Sequence, residues 1–500
     1  MLVKYINNPN KQYIPSVSNQ YNIPKKGFTL RYSLETNIFD RLVYQGIVDI
    51  LIDSLDEGIP SCVYSHRKSR AKNSKYIFQN PIEAWKDFQL HLTSELKKSP
   101  SKVLLVTDIQ NFFENIQLKD IRKSILRISK NLMLGKPKER KIKAATTLII
   151  RLLKKWSFSE AHGIPQNRDA SSFLANLLME KLDSKMIKEG YLYFRYMDDL
   201  RVVCEDVFQA RKILKEIIIE IRKLGLNVNS QKTFILRQED PRIDEFIYKP
   251  IREIEQIESL LKSKKLKNVK IALPLLKKLS LKQIRKNKTQ DREFRFCIHR
   301  LDTIARCKAV NSFFDFKRIT RAIVDELVEQ PFSTDVFARY LKSVELTKSN
   351  KAKIKAILSD PHRNVYSWQG YHLWLIFIFH GYKSKELLVL ARRIVSENKK
   401  APETAGAILY LGSCGGKDDR EFVAVNFKNY KNYLMQRYGI IAIHELDYED
   451  VVKIHVKDYV MKELVGTYMN MHANFNGQYF TPLPNTSVSD LYRDIPTYVG

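Results

Sequence analysis

Apolar residues recur at helical spacing through IFDRLVYQGIVDILIDSLD (38–56), and the run stops at Gly58-Ile59-Pro60. A second helix is expected over 81–98. The pattern then changes. VLLVTDI (103–109) is a short continuous apolar run ending in an acid, which predicts a buried strand with a carboxylate near its tip. Helical spacing returns over 117–133 and 139–156. Gly163 and Pro165 interrupt it within HGIPQNRDASS (162–172), and FLANLLMEKLDSKMI resumes it. YLYFRYMDDLRVVC (191–204) reads as strand, turn, strand. Residues 207–224 form an amphipathic helix, and KTFIL (232–236) another short strand. This order predicts an α+β layer with helices packed on one sheet.

Beyond about residue 250 the strand signals fade, and helical periodicity in Leu, Ile and Lys continues to about 470. This half is mostly α-helical and repeat-like, without a clean fixed period. Residues 1–30 are polar and interrupted by Pro9, Pro15 and Pro24. Residues 474–500 are rich in Asn, Thr, Pro and Tyr. The expected organisation is an N-terminal arm (1–30), an α+β domain (31–245), a helical domain (246–470) and an extended tail (471–500).

Composition adds a partner class. The chain has 500 residues, 44% hydrophobic with 25 Tyr and 25 Phe, which predicts a folded protein with a large core. There are 85 Lys and Arg against 55 Asp and Glu, a net charge of +30. Such a field attracts polyanions, nucleic acid foremost. Residues 261–288 hold eleven Lys or Arg and no acid, with apolar residues between them. One face of that helix should pack. The other, including Lys264, Lys265, Lys267, Lys277, Lys278 and Arg285, is a candidate track for a nucleic-acid backbone, the alternative being an ordinary solvated face. The five cysteines are scattered with no C-x-x-C pair, which argues against a zinc site or disulfide framework and for a reducing cytoplasm. The N-terminus lacks the apolar core of a signal peptide, and LWLIFIF (373–379) is too short to span a membrane.

The candidate chemistry lies in the hairpin. Asp198 and Asp199 sit side by side between aromatic-rich runs. Two carboxylates at a turn can reach one site, at a cost unless a cation neutralises them. Mg²⁺ prefers oxygen ligands and keeps positions open for phosphate oxygens. Asp108, at the tip of the earlier strand, supplies a third carboxylate. Two ions held there would activate a 3′-hydroxyl and stabilise departing pyrophosphate.

These elements resemble the reverse transcriptases. RYMDD is similar to their Y-x-D-D palm signature, and VLLVTDIQNFF (103–113) to the palm motif that precedes it. HGIPQNRDASSFLAN (162–176) resembles the element that shapes the nucleotide and template pocket, and LGLNVNSQKT (224–233) the following motif. DRLVYQ (40–45) and VYSHR (63–67) resemble the fingers of the bacterial group. The resemblance implies a fingers–palm polymerase followed by a mostly helical domain. It implies Asp108, Asp198 and Asp199 as catalytic metal ligands, joined by the main-chain carbonyl of Ile109, around two Mg²⁺ ions or Mn²⁺ in their place. It places Arg67, Phe113, Gln166, Ser171 and Lys232 at the nucleotide. Phe113 would lie under the sugar and block a 2′-hydroxyl, selecting dNTPs and arguing against an RNA-synthesising polymerase. Its alternative is an ordinary core ring. That of Arg67 is a solvated surface arginine.

One departure is that Asn167, followed by Arg168 and Asp169, stands where the family has glycine after Pro-Gln. With the helical half, this points to the abortive-infection, or phage-defence-associated, bacterial reverse transcriptases. That resemblance implies DNA synthesis that is protein-primed and either untemplated or templated by a short stretch of an associated non-coding RNA, in the bacterial cytoplasm, by a homo-oligomer such as a trimer or hexamer. Its partners would be dNTPs, non-coding RNA and DNA product. Tyr498, Tyr492 and Tyr479 are the tail candidates for a priming hydroxyl, with Tyr13 and Tyr21 in the arm. The alternatives are a retron-like or group II intron-like enzyme copying a cognate RNA, and a non-catalytic nucleic-acid-binding scaffold.

Overall fold

Four antiparallel strands organise the first half of the chain in the computed structural model: β3 (Val103–Asp108), β4 (Leu192–Tyr196), β5 (Asp199–Cys204) and β6 (Phe234–Leu236), in spatial order β4-β5-β3-β6. The structure describes residues 18–456 except 72–73, 160, 249–251, 312, 399–400, 445 and 447–448, together with 13, 15, 16, 462, 465 and 485–488. β3 is buried up to its tip, as a central strand with both faces covered must be. Its register sets Val103 opposite Cys204 and Asp108 opposite Asp199, so the end of β3 meets the turn between β4 and β5.

The helices around this sheet start where their caps dictate. Asn37 caps α1 (Ile38–Leu55) by accepting from the Asp40 amide at 2.7 Å, and Asn80 with Pro81 at the first turn starts α2 (Pro81–Leu96). A single turn, α3 (Phe112–Asn115), follows β3. Then come α4 (Leu118–Asn131), α5 (Lys136–Trp156), α6 (Asp169–Lys188) and α7 (Val207–Arg222). α6 is buried on almost every side, so its sequence lacks the one-sided pattern of α4. The α+β layer expected from the sequence is therefore present, with strands and helices in the expected order.

Two local features differ from the sequence reading. The arm contains a hairpin, β1 (Asn19–Pro24) and β2 (Leu30–Glu35), turned at Gly27 (φ +81°) and Phe28 (φ +61°). The sequence pattern marks no strand there; Pro24 ends β1. The strand expected from 232 begins at Phe234. Asn229 caps a tight turn at Ser230–Lys232 by accepting from the Gln231 amide at 3.2 Å.

The chain divides into two compact units, one built mainly on residues 33–250 and one on 251–495 with 21–32. The second is helical. α8 (Arg252–Lys262), α9 (Leu266–Arg285) and α10 (Arg292–Ala305) open it, and among the described residues ten further helices follow, from Lys308–Asn311 to Glu449–His455. α9 buries Val269, Ala272, Leu273, Leu276 and Leu279 and leaves Lys267, Lys278 and Arg285 in solvent, where Lys264 and Lys265, just before it, also lie. Lys277 is half-buried, its ammonium 5.7 Å over the Phe314 ring and 3.4 Å from the Asp315 carbonyl.

Within the helix Ser367–Phe379, His372 lies 4.7 Å from the Trp368 ring, and its Nε2 is buried with no hydrogen-bond partner among the described residues. Burial, with Lys342 adding repulsion, pushes its pKa down from 6.5 to about 3. The folded protein thus keeps this ring neutral while the unfolded chain takes up a proton below about pH 6.5. Stability should fall as pH drops from about 6.5 towards 3, with a slope approaching about 1.4 kcal/mol per pH unit. His372→Phe is expected to flatten the acid side of the melting-temperature profile. An unchanged acid slope would refute this.

Candidate active site

The β4–β5 hairpin closes on the pair Tyr196–Asp199, which leaves Met197 and Asp198 as its two-residue loop. Met197 has φ +55°, a conformation in which glycine is the usual occupant of such a turn. The loop meets the end of β3, where the Ile109 amide donates to the Asp198 carbonyl at 3.2 Å and the Asn229 amide to the Asp108 carbonyl at 2.7 Å. Three segments distant in sequence therefore converge on Asp108 and Asp198.

The adjacent aspartates have different surroundings. Asp199 is held in a fork by Arg201, at 3.1 Å from Nε and 2.6 Å from Nη2. The Arg201 guanidinium lies 4.7 Å from the Phe88 ring, 5.4 Å from Trp85 and 5.6 Å from Phe246, and it donates to the Phe246 carbonyl. Asp199 was expected as an assisting metal ligand. Here its carboxylate is engaged by an arginine that is itself buried. Asp198 has no such clamp. Burial first, and the charge of Asp108 second, push its carboxyl up to about 6. Burial also raises Asp108, opposed by Lys232, whose ammonium sits 2.9 Å from Asp108 Oδ2.

Two half-buried carboxylates, each pushed up in pKa first by burial and facing one exposed ammonium, form an oxygen-donor pair short of positive charge. Among the described residues no group of three His, Cys, Asp or Glu side chains is set to hold a metal ion. The donors that fit a hard divalent ion are Asp108, Asp198 and the Ile109 carbonyl, which takes no hydrogen bond among the described residues.

The other expected site residues separate into three kinds. Lys232 joins the carboxylates. Phe113 is half-buried on α3, its ring 5.4 Å from Phe112 and its carbonyl accepting from the Ile164 amide at 3.0 Å. Gly163 makes that approach feasible: its φ is +87°, and a Cβ there would fall 2.3 Å from the Phe158 ring. Gln166 is buried, with Nε2 3.4 Å from Glu114 Oε1.

Two expectations are corrected. Ser171 is fully buried and shares a 2.8 Å hydrogen bond with the Tyr44 hydroxyl, so it joins α6 to α1 and does not line a pocket floor. Arg67 is buried and fully engaged. Nε and Nη2 reach the Asp56 carboxylate, Nη2 the Asp56 carbonyl at 3.0 Å, and Nη1 the carbonyls of Pro60 and Val63. A guanidinium with all these acceptors is a structural pin, not a free clamp for a triphosphate. Asn167 is exposed with φ +54°, a left-handed conformation that asparagine tolerates, which explains how it stands in a glycine position.

Tyr13 donates to the Asp40 carboxylate, and Tyr21 is buried with its hydroxyl 3.2 Å from Asn432 Oδ1. Tyr479, Tyr492 and Tyr498 lie outside the described residues. The described piece of the tail is bound to α10 and the residue that follows it, Thr486 donating to the Thr303 carbonyl at 2.8 Å and to that of Arg306 at 3.1 Å.

Sequence reasoning passed over Ser65, Asn176, Asp183, Arg195 and Arg201. The available signal was two arginines within the apolar runs of one hairpin. They occupy opposite faces, since Arg195 pairs with Leu200 and Arg201 with Phe194. Arg195 is fully buried against α6, in a fork on Asp183 at 2.8 and 2.7 Å.

The sequence model of the reverse transcriptases (RNA-dependent DNA polymerases) matches residues 23–295. No curated protein sequence matches the chain. Solved structures similar to it include apo telomerase from Candida tropicalis, at 14% identity and TM-score 0.34, covering 70% of this chain and 67% of that one. Telomerase from Candida albicans with the TWJ fragment of telomeric RNA aligns at 11% identity and TM-score 0.35, covering 75% and 65%. A Candida tropicalis telomerase truncated from its C-terminal domain aligns at 17% and 0.31, covering 45% and 52%. The chain thus spans between about half and two thirds of those chains.

Proposed function

The chain belongs to the reverse transcriptase family, and from that premise we propose that it is an RNA-directed DNA polymerase whose active centre is the Asp108–Asp198 pair. The observation that carries this reading is the convergence of those two carboxylates, raised in pKa, with Lys232 as their nearby cation. Mg²⁺ held by Asp108, Asp198 and the Ile109 carbonyl would supply activation of the primer hydroxyl and charge neutralisation on the leaving pyrophosphate. Lys232, largely exposed, would exchange Asp108 for the triphosphate of the incoming nucleotide. Asp199 would act through Arg201, fixing the base of the hairpin.

Phe113 would exclude ribonucleotides. Phe113→Ala is expected to raise rNTP incorporation relative to dNTP by up to about 10²-fold, the usual scale for a shape-based rejection of one hydroxyl. Unchanged selectivity in single-nucleotide addition would return Phe113 to a packing role.

The finer reading is a phage-defence enzyme of the abortive-infection type, acting as a homo-oligomer in the bacterial cytoplasm. Its support is the sequence resemblance, the helical second half and the Asn167 departure. In this reading a tail tyrosine, Tyr498, Tyr492 or Tyr479, primes DNA that is untemplated or templated by a bound RNA, and the exposed lysines of α9 track nucleic acid. The test gives purified protein Mg²⁺ and each labelled dNTP singly, without template or primer, before denaturing electrophoresis with and without proteinase. Label that stays with protein until digestion, and is absent in Asp198→Asn, supports protein priming. Synthesis only with an added RNA template and DNA primer would favour a conventional copying enzyme.

A further inference from the structure

Met197 sits in the hairpin loop with a positive φ, although it is not glycine, and its neighbour Asp198 is the carboxylate on which the proposed chemistry depends. A bulky residue holds that conformation only where its surroundings over-determine it. Here both polar groups of the Met197 backbone are taken by buried side chains. Its amide donates to Ser65 Oγ at 3.0 Å, and its carbonyl accepts from Arg195 Nη1 at 3.0 Å.

These two contacts belong to a closed circuit. Arg195 Nη1 also donates to Asn176 Oδ1 at 2.9 Å, and Asn176 Nδ2 donates to the Ser65 carbonyl at 2.8 Å. The ring Ser65–Asn176–Arg195–Met197 thus joins the segment after α1, helix α6 and the hairpin. It is fastened from outside by the Asp183 fork on Arg195 and by the Tyr193 hydroxyl, 3.0 Å from Asp183 Oδ1. Ser65, Asn176, Asp183 and Arg195 are all completely buried. Burying an arginine–aspartate pair has a large desolvation cost, so a plain packing role would be met as well by apolar side chains. Only a donor at this place satisfies the Met197 carbonyl, and only an acceptor satisfies its amide.

We propose that Ser65 and Arg195 are positioning residues that set the Met197 turn, and through it the direction of the Asp198 carboxylate towards Asp108. This rests on the reading of that pair as the metal-holding centre. The Met197 amide accounts for Ser65, and the Met197 carbonyl for the use of arginine where a shorter cation would serve Asp183 alone. Lysine at 195 could still pair with Asp183 but lacks the planar fork that reaches Asn176 and Met197 at once.

The test uses full-length protein, with Mn²⁺ binding followed by electron paramagnetic resonance without nucleotide, alongside polymerisation and thermal melting. Asp198→Asn serves as the control that removes the site. Ser65→Ala and Arg195→Lys are expected to fold, to bind Mn²⁺ about tenfold more weakly, and to need correspondingly more Mg²⁺ for half-maximal rate. The KM for dNTP should stay as in the wild type. Folded variants with wild-type Mn²⁺ affinity and wild-type Mg²⁺ dependence would overturn the proposal, even if their rates fell. If Arg195→Lys fails to fold, Ser65→Ala decides by the same criteria. Loss of Mn²⁺ binding in Asp198→Asn with none in Ser65→Ala rejects only the positioning role. Equal Mn²⁺ binding by wild type and Asp198→Asn rejects the metal-site reading, and the positioning role with it.

Discussion

Asp198→Asn is expected to lower the rate of DNA synthesis by about 10³-fold or more, since a divalent ion at the reacting centre stabilises the transition state by several kcal/mol. The same substitution should stabilise the metal-free protein. Asp198 is half-buried beside Asp108, and its carboxyl is pushed from 3.8 to about 6, so ionising it at neutral pH costs the fold free energy. Removing that charge should add about 1–3 kcal/mol, read as a higher melting temperature in chelator. Asp199→Asn should behave in the opposite way. It leaves Arg201 with half of its fork, so stability should fall while Mn²⁺ affinity changes little. If both variants lost metal binding equally, Asp199 would be a ligand after all, and the distinction drawn from Arg201 would fail. Asp198→Asn with undiminished activity would remove the foundation of the proposed function.

Arg67→Ala is expected to destabilise the first unit by about 3–5 kcal/mol, because it leaves the buried Asp56 carboxylate without its partner. For a unit of this size that is a fall in melting temperature on the order of 10 °C. The loss should be recovered in large part by pairing Arg67→Met with Asp56→Leu, which removes both charges together. A triphosphate clamp predicts another outcome: a raised KM for dNTP with melting unchanged. That result would restore the role suggested by the sequence.

The sequence and the structure agree most closely where local pattern is enough. VLLVTDI is legible as a buried strand because continuous apolar runs of that length have few other homes. The hairpin was legible from alternation about a turn, and the two helices before the Pro-Gln element from their spacing. α6 was legible as a helix but not as one buried all round, since its depth depends on what α1, α4 and the sheet place against it. Asp108, Asp198 and Lys232 were singled out by motif and order, and the structure brings their charged groups together.

The misplacements share one cause. A side chain's partners are set by the three-dimensional arrangement, whether they lie near or far in sequence. Arg67 read as a cation available to a ligand or to solvent, and Arg201 was passed over. Only the fold shows Asp56 and Asp199 engaging them, along with the aromatic walls of Trp85, Phe88 and Phe246. Ser171 read as a pocket residue because its motif lies near one, but the helix turns it onto Tyr44.

The sequence by itself determined the order of strands and helices, the polyanion-attracting charge, the family and the aspartates proposed to carry its chemistry, because each is written in periodicity, composition or short-range motif. The tertiary structure alone decided which of two adjacent aspartates is free and which is clamped. It also decided that a methionine can hold a left-handed turn. Both outcomes depend on the geometry of side-chain hydrogen bonds, from Arg201 and Arg195 two residues away and from Ser65 far back in the chain, which no local pattern encodes.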